Sequence, residues 1–340
     1  MEKIDILLAT YNGEKYIKDQ LESILNQTYT NISVIISDDK STDNTVEILK
    51  EYEKKDNRIK VFTQETNSGY IKNFEFLLKQ VTSDYYMLSD QDDVWLKDKI
   101  SKSYDKLTKE NLDLVFCDLE VVDENLNTIH NSMFRFLKID RRIKKYNDYK
   151  LIYLDNCVTG CTIISRKKFL DLILPLPSTT KYLVHDYWIA LVISMHGKFS
   201  YIDEPLIKYR QHGNNEIGTD KISTKFSKFS DVRDLFINVK TERFTAFVDN
   251  DRVFDDKLKT LNIEALEYFE SIRDKQNINF KGLKTFNNIY KYQNLNKYIL
   301  FFVIMNIPIL ARFLFSIRYM ILKIINILNR NEWSNFSSFT

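Results

Sequence analysis

Five apolar runs, Ile4–Ala9, Ile32–Ser37, Ile59–Phe62, Tyr85–Ser89 and Leu112–Cys117, alternate with stretches near 15–26, 43–55, 70–80 and 97–108 whose apolar residues recur at helical spacing. Short continuous apolar runs read as strands buried on both faces, and the amphipathic stretches between them as helices covering those faces. The alternation predicts an α/β fold, a nucleotide-binding sheet flanked by helices with its ligand at the carboxyl ends of the strands.

The 340 residues suffice for one large α/β domain and an appendage. With 49 basic against 47 acidic residues there is no global field to attract nucleic acid, which excludes it as an expected partner. Cys117, Cys157 and Cys161 are an odd set, and the Cys157–Cys161 spacing lacks a second pair to complete a zinc site, so they read as reduced and structural. The start at Met1-Glu2-Lys3-Ile4-Asp5 has no signal-peptide pattern, so the catalytic part is expected in the cytoplasm.

From about 119 to 215 the order is less regular, with short runs at Thr162–Ser165 and Phe199–Ile202 and a helix expected at 186–195. This half is expected to build the pocket for a second substrate, giving a catalytic domain over 1–215 and a helical extension over 216–296. The stretch 297–330 differs again: Lys297, Arg312, Arg318, Lys323 and Arg330 are its charged residues, with no acidic one among them. Asn306 and Pro308 break the run Tyr298–Met305, which falls far short of the ~20 residues of a span. Beyond Pro308, polar or amphipathic residues recur at Arg312, Ser316, Tyr319, Lys323, Asn326 and Arg330, a narrow stripe on an apolar helix. That pattern suits an amphipathic helix lying in a membrane interface. A core or dimer helix is the plainer alternative, and a span would place Arg312, Arg318 and Lys323 at a cost in mid-bilayer.

The first strand ends in Ala9-Thr10-Tyr11-Asn12-Gly13 and the second in Ser37-Asp38-Asp39-Lys40-Ser41-Thr42-Asp43. The Tyr11 ring could stack on a base, and Asp38 or Asp39 could accept from a pyrimidine N3–H or a ribose hydroxyl; ordinary turn and cap chemistry is the competing explanation. The fourth run leads into Ser89-Asp90-Gln91-Asp92-Asp93-Val94-Trp95, where crowded carboxylates repel unless a cation or donors neutralise them. Mg²⁺ or Mn²⁺ is the natural partner, because such an ion takes one or two carboxylates and shares the oxygens of a nucleotide diphosphate. A solvated acidic loop is the alternative, against which the buried strand before it and Trp95 after it argue. His185-Asp186-Tyr187-Trp188 opens a helix, where Asp186 could cap or serve as a general base with rings packed on an acceptor. Tyr209-Arg210-Gln211-His212-Gly213-Asn214-Asn215 adds an imidazole.

With these five motifs in this order, over about 1–215, the chain resembles the family 2 inverting glycosyltransferases of the GT-A fold. Within that family it is most similar to bacterial rhamnosyltransferase-type members that build surface polysaccharides. The resemblance implies that Thr10, Tyr11, Asn12 and Asp39, with Asp38, bind the nucleoside, and that Lys72 lies near the nucleotide. It implies that Asp90-Gln91-Asp92 is the D-x-D element, with Asp90 near the ribose and Asp92 on Mg²⁺ or Mn²⁺. His212 would complete the metal site or touch the diphosphate, and Asp186 would be the catalytic base. Asn156, Thr159 and Gly160, with His185, Tyr187 and Trp188, would border the donor sugar or acceptor. Many relatives have Gly where this chain has Lys40.

The expected reaction moves rhamnose from a dTDP-linked donor, or a hexose or N-acetylhexosamine from a UDP-linked one, to an acceptor. The basic apolar tail points to a polyprenyl-diphosphate-linked glycan as that acceptor and to peripheral attachment at the cytoplasmic face of the cell membrane. Two rivals differ in class. A sugar-1-phosphate nucleotidyltransferase would want a Gly- and basic-rich phosphate loop that Thr10–Tyr16 lacks, and a non-catalytic nucleotide-sugar-binding partner would not need an intact acidic run and Asp186.

Overall fold

The computed structural model describes residues 2–137, 139, 143, 148–153, 156–177, 183–213, 229–273 and 283–290. The interfacial helix expected over 297–330 lies outside the described residues, as do Asn214 and Asn215. By its contacts the chain divides into two compact units, Met1–Glu216 and Ile217–Thr340.

The first unit is an α/β sheet. Strands β1 (Ile4–Thr10), β2 (Ile32–Asp38), β3 (Ile59–Thr63) and β4 (Tyr85–Ser89) alternate with helices α1 (Ile17–Leu25), α2 (Thr45–Lys55) and α3 (Tyr70–Lys79). β5 (Val94–Trp95), α4 (Lys99–Lys109), β6 (Leu114–Val122), β7 (Thr128–His130), α5 (Met133–Phe136) and α6 (Lys150–Tyr153) follow. β8 (Ile163–Arg166), α7 (Leu170–Ile173), α8 (His185–His196) and β9 (Phe199–Arg210) complete it. The strand order is β3-β2-β1-β4-β8-β6-β9-β5, with β7 paired to β6. β1 runs parallel to β2 from Ile4↔Ile32 to Thr10↔Asp38 and to β4 from Ile4↔Tyr85 to Leu8↔Ser89, so three chain segments leave the sheet at one edge. The strands are apolar on both sides because helices cover both: Ile4, Ile6, Leu8, Val34, Ile36 and Met87 share one buried cluster with Ile17, Leu21, Leu49 and Ile100 of the helices.

Four strands differ from the sequence reading: β6 runs past the expected Cys117 to Val122, β7 has no counterpart in it, and β9 and β5 differ in extent and pairing. β9 extends from the expected Phe199–Ile202 through Asp203-Glu204-Pro205 to Arg210, although this polar triplet with its proline reads as a break. Pro205 lies opposite Asp118, where the pairing with β6 shifts register, the kind of place where a residue without an N–H is tolerated in a sheet. β5 is two residues long and antiparallel to β9 (Val94↔Lys208, Trp95↔Ile207), so the acidic run is strung between two strands of the same sheet.

The second unit is helical where described: α9 (Phe229–Asp249), α10 (Asp256–Arg273) and α11 (Leu283–Tyr290). Phe244 of α9 stacks on Phe269 of α10 with centroids 5.5 Å apart, and Tyr268 meets Phe286 of α11 at 6.3 Å. No helix among the described residues is long and apolar enough to cross a membrane.

At the amino end of β1, away from the strand ends that carry the motifs, the buried Asp5 carboxylate accepts from the backbone N–H of Thr82 at 2.7 Å and of Ser83 at 2.8 Å, and from Ser83 Oγ at 2.8 Å. Removing the acceptor strips the turn at Thr82–Ser83 of the buried group that holds its N–H and hydroxyl donors. Asp5→Ala is expected to lower unfolding stability by about 3 kcal/mol in denaturant titration while leaving nucleotide affinity unchanged.

Candidate active site

The loops after β1 and β2 are stitched to each other by short polar side chains. Thr10 Oγ1 donates to Asp38 Oδ2 at 2.8 Å, and Asp38 also accepts from the Ser41 N–H at 2.7 Å and Ser41 Oγ at 2.6 Å. Asn12 donates its N–H to Ser41 Oγ and accepts from the Thr42 N–H, each at 2.8 Å. Lys40 holds φ at 64°, the left-handed region that favours glycine. Thr10 and Asp38 are buried and mutually satisfied, so their direct part is to fix the loops. Tyr11 is 45% exposed and presents its ring outward. Asp39 accepts the N–H groups of Ser68 at 2.9 Å and Gly69 at 2.7 Å, one on each oxygen. Lys72, expected near the nucleotide, ion-pairs here with Glu75 at 3.2 Å within α3.

The acidic run leaves β4 beside these loops. Gln91 straps it to the end of β1: its Oε1 accepts from the Tyr11 N–H at 2.8 Å and its Nε2 donates to the Tyr11 carbonyl at 2.9 Å. A Cβ on Gly13 would come within 2.3 Å of Gln91 Oε1, so the strap requires glycine at that position. His212 Nε2 lies 2.9 Å from Asp92 Oδ2, and the His212 ring stacks on Tyr16 with centroids 4.7 Å apart. Asp93 is fully buried and accepts the Arg210 N–H at 3.2 Å. Burial pushes the Asp90 carboxyl up to about 7, with repulsion from Asp92 and then Asp186 adding to it. The same causes, burial first and then Asp92 and Asp90, raise Asp93 well above the usual carboxylate range.

Asp186 stands in the first turn of α8, about thirty residues downstream of the loop that holds it. Its Oδ2 accepts the Gly160 N–H at 2.9 Å and its Oδ1 accepts from Asn156 Nδ2 at 3.2 Å. Burial raises its carboxyl to about 6 against the lowering effect of those donors. Thr159 shapes the loop through its carbonyl, which accepts from Thr162 Oγ1 at 2.6 Å. A Cβ on Gly160 would lie 3.1 Å from His185 Nε2 and 3.3 Å from Asp186 Cβ, so the loop approaches α8 closely only because it has none. His185 is buried, stacked on Phe74 at 3.9 Å, and pushed down to about 3 by burial, which keeps the imidazole neutral.

Tyr187 and Trp188 correct the sequence reading. Both are fully buried, and each donates to a backbone carbonyl: Tyr187 OH to Tyr153 at 2.6 Å, Trp188 Nε1 to Ile173 at 2.9 Å. They anchor α8 instead of offering a face to a ligand. Arg210, which the sequence reading did not single out, reaches the acidic run: Nε donates to the Asp92 carbonyl at 2.8 Å. Its presence beside His212 in the motif was visible; its reach to a run more than a hundred residues earlier was not.

Hard carboxylate donors concentrated at one strand end fit a divalent cation such as Mg²⁺ or Mn²⁺. Among the described residues, one group of three possible ligand side chains lies within 4.8 Å of one another, Asp90, Asp93 and Cys161. Burial raises the Cys161 thiol well above its usual range, and Asp93 has no exposed surface. The carboxylates that keep an open edge are Asp90 and Asp92, the latter paired with His212.

Residues 5–173 match the family model described as glycosyl transferase family 2. A dTDP-rhamnosyl transferase of Shigella flexneri, RfbG, is 30% identical over 263 residues, 74% of this chain and 88% of that protein. The chain belongs to glycosyl transferase family 2. A UDP-Glc:alpha-D-GlcNAc-diphosphoundecaprenol beta-1,3-glucosyltransferase of Escherichia coli, WfgD, is 31% identical over 211 residues, 61% of this chain and 76% of that one. Among solved structures, S. aureus TarS 1-349 in complex with UDP-GlcNAc aligns with a TM-score of 0.54 at 20% identity, covering 89% of this chain and 81% of that one. A mannosyltransferase from Pyrobaculum calidifontis in complex with GDP-Man and Mn²⁺ aligns at 0.50 and 15% identity, covering 79% and 73%. These neighbours share the GT-A fold with this glycosyltransferase.

The raised carboxyls make the metal-free glycosyltransferase sensitive to pH. Its folded state retains protons on Asp90, at about 7, and on Asp186, at about 6, that the unfolded chain has already lost, so stability falls as pH rises through these values. His185, depressed to about 3, acts in the opposite sense, but only below the ordinary histidine value near 6.5. Melting temperature is therefore expected to fall by several degrees between about pH 6.5 and 8, and saturating Mn²⁺ is expected to restore it at the upper end.

Proposed function

We propose that this enzyme transfers a sugar with inversion, in a metal-dependent step, from a nucleoside diphosphate donor to a hydroxyl of a lipid-linked oligosaccharide in cell-surface polysaccharide synthesis. The observation that carries the reading is that Gly160, whose N–H donates to Asp186 at 2.9 Å, adjoins Cys161, whose Sγ lies within 4.8 Å of carboxylate oxygens of Asp90 and Asp93. A candidate base and the acidic run are thus brought together by one loop, as a single displacement requires.

In this reading Tyr11 stacks on the base, and Asp39 with Asn12 and the strapped loop around Gln91 receives the nucleoside. Lys72 would leave Glu75 to meet the nucleotide. Asp90 would meet the ribose, and Asp92 and His212 would hold Mg²⁺ or Mn²⁺, which would supply charge stabilisation to the leaving diphosphate. Asp186, with its oxygens held by Gly160 and Asn156, takes the proton of the acceptor hydroxyl as that oxygen attacks the anomeric carbon opposite the diphosphate. A base at about 6 is ionised at neutral pH yet still basic enough to assist. No covalent intermediate is needed. Thr159 and the buried, neutral His185 border the sugar or acceptor.

Rhamnose from dTDP-rhamnose is the preferred donor, supported by the RfbG likeness; a UDP-linked hexose or N-acetylhexosamine is the alternative, supported by WfgD and the TarS complex. A polyprenyl-diphosphate-linked acceptor is supported by what WfgD is named for and by the basic apolar stretch 297–330, through which the enzyme would sit peripherally on the cytoplasmic face of the membrane.

The test is nucleoside diphosphate release from a panel of dTDP- and UDP-sugars, with a membrane lipid extract as acceptor, with and without Mg²⁺ or Mn²⁺. Metal-dependent release from one donor is expected; donor binding without release means either that the extract lacks the acceptor or that the chain is a non-catalytic binding partner. Asp186→Asn is expected to fold and bind donor while losing roughly 10²–10⁴ in rate. The wild-type rate is expected to show an acid limb near pH 6, where Asp186 takes up its proton. Near-normal turnover in the variant removes Asp186 from the role of base.

A further inference from the structure

Arg210, the last residue of β9, is 3% exposed, and its guanidinium reaches three segments distant in sequence. Nε donates to the Asp92 carbonyl at 2.8 Å, Nη1 to the Glu124 carbonyl at 2.7 Å, and Nη2 to Asp19 Oδ2 at 2.9 Å. Its planar face lies over the Tyr16 ring, 4.6 Å from the centroid. Tyr16 in turn stacks on His212 at 4.7 Å, and His212 Nε2 meets Asp92 Oδ2 at 2.9 Å. The contacts close a circuit: Arg210 to Tyr16, Tyr16 to His212, His212 to Asp92, and the Asp92 backbone to Arg210.

We propose that Arg210 is a positioning residue, touching neither donor nor cation, that presents the Asp92–His212 pair at the separation and orientation in which the two together bind a divalent cation and the diphosphate it carries. The proposal rests on the assignment of Asp92 and His212 made above. The circuit acts at both ends of the pair. On one side the guanidinium fixes the backbone of Asp92, and on the other it fixes, through Tyr16, the plane of the imidazole. A rigid fork with several donors is suited to this; an ammonium on a flexible stem keeps the charge but cannot reach three fixed acceptors at once. Outer partners of metal ligands commonly govern affinity in this way, through the geometry of the inner ones.

The experiment uses the full chain and two probes, dTDP and UDP, titrated calorimetrically with and without saturating Mn²⁺, alongside melting curves. Wild type is expected to bind at least one of them more tightly with Mn²⁺. In Arg210→Lys that gain is expected to shrink about tenfold while metal-free binding stays within about twofold, because the nucleoside platform is untouched. Tyr16→Leu, which removes the ring between Arg210 and His212, is expected to show the same selective loss and serves if Arg210→Lys does not fold. Weakening by the same factor with and without Mn²⁺ marks Arg210 as a general structural clamp and overturns the proposal, as does an undiminished gain. If wild type itself gains nothing from Mn²⁺, the metal assignment fails and takes the proposal with it; a wild-type gain preserved in the variants overturns the proposal alone.

Discussion

Carboxylates repel, and this fold gathers several of them at one edge of a sheet. Asp90, Asp92 and Asp93 leave β4 within four residues, and Asp186 is held by the N–H of Gly160, beside the Cys161 that borders Asp90 and Asp93. Left to itself a peptide carrying such charges would open into water. Here both its ends belong to the sheet, β4 before it and β5 after it, while Gln91 ties its first turn to β1 and Arg210 ties its last to β9. The repulsion is therefore held in place by the sheet, and on the proposed metal role a cation would meet a site that needs little rearrangement.

Much of the sheet was legible in the sequence because its parallel strands are short apolar runs between amphipathic helices, a signal that needs no knowledge of neighbours. The exceptions have a common cause. β9 was cut short because Asp203-Glu204-Pro205 reads locally as a turn, and only the bulge opposite Asp118 explains its place in a strand. β5 is too short to give any periodic signal. In both cases the structure is decided by pairing between residues far apart in sequence.

The site was legible in its residue types and less so in their orientations. The motif around Asp186 placed a carboxylate where Gly160 and Asn156 now hold it, yet the same string suggested that Tyr187 and Trp188 were ligand-facing rings. An aromatic beside an acid at a helix start has the same spelling whether it lines a cleft or anchors the helix, and only the buried partners Tyr153 and Ile173 distinguish the two. Thr10 and Asp38 likewise read as ligand contacts because short polar residues at strand ends serve both purposes. Lys40 is the converse: a lysine stands in the left-handed region that glycine tolerates best, at modest cost.

The amide of Gln91 joins the peptide of Tyr11 to the acidic run through two hydrogen bonds. It works as a ruler. On the proposed roles of Tyr11 and Asp92, one rigid spacer would separate base from diphosphate, and the length of the nucleotide would become a fixed dimension of the protein. On the same proposal the residues that would meet the sugar, on the loop at Asn156–Gly160 and the start of α8, lie outside that strap and could drift without disturbing the measurement. A fold built this way can exchange its cargo while keeping its handle.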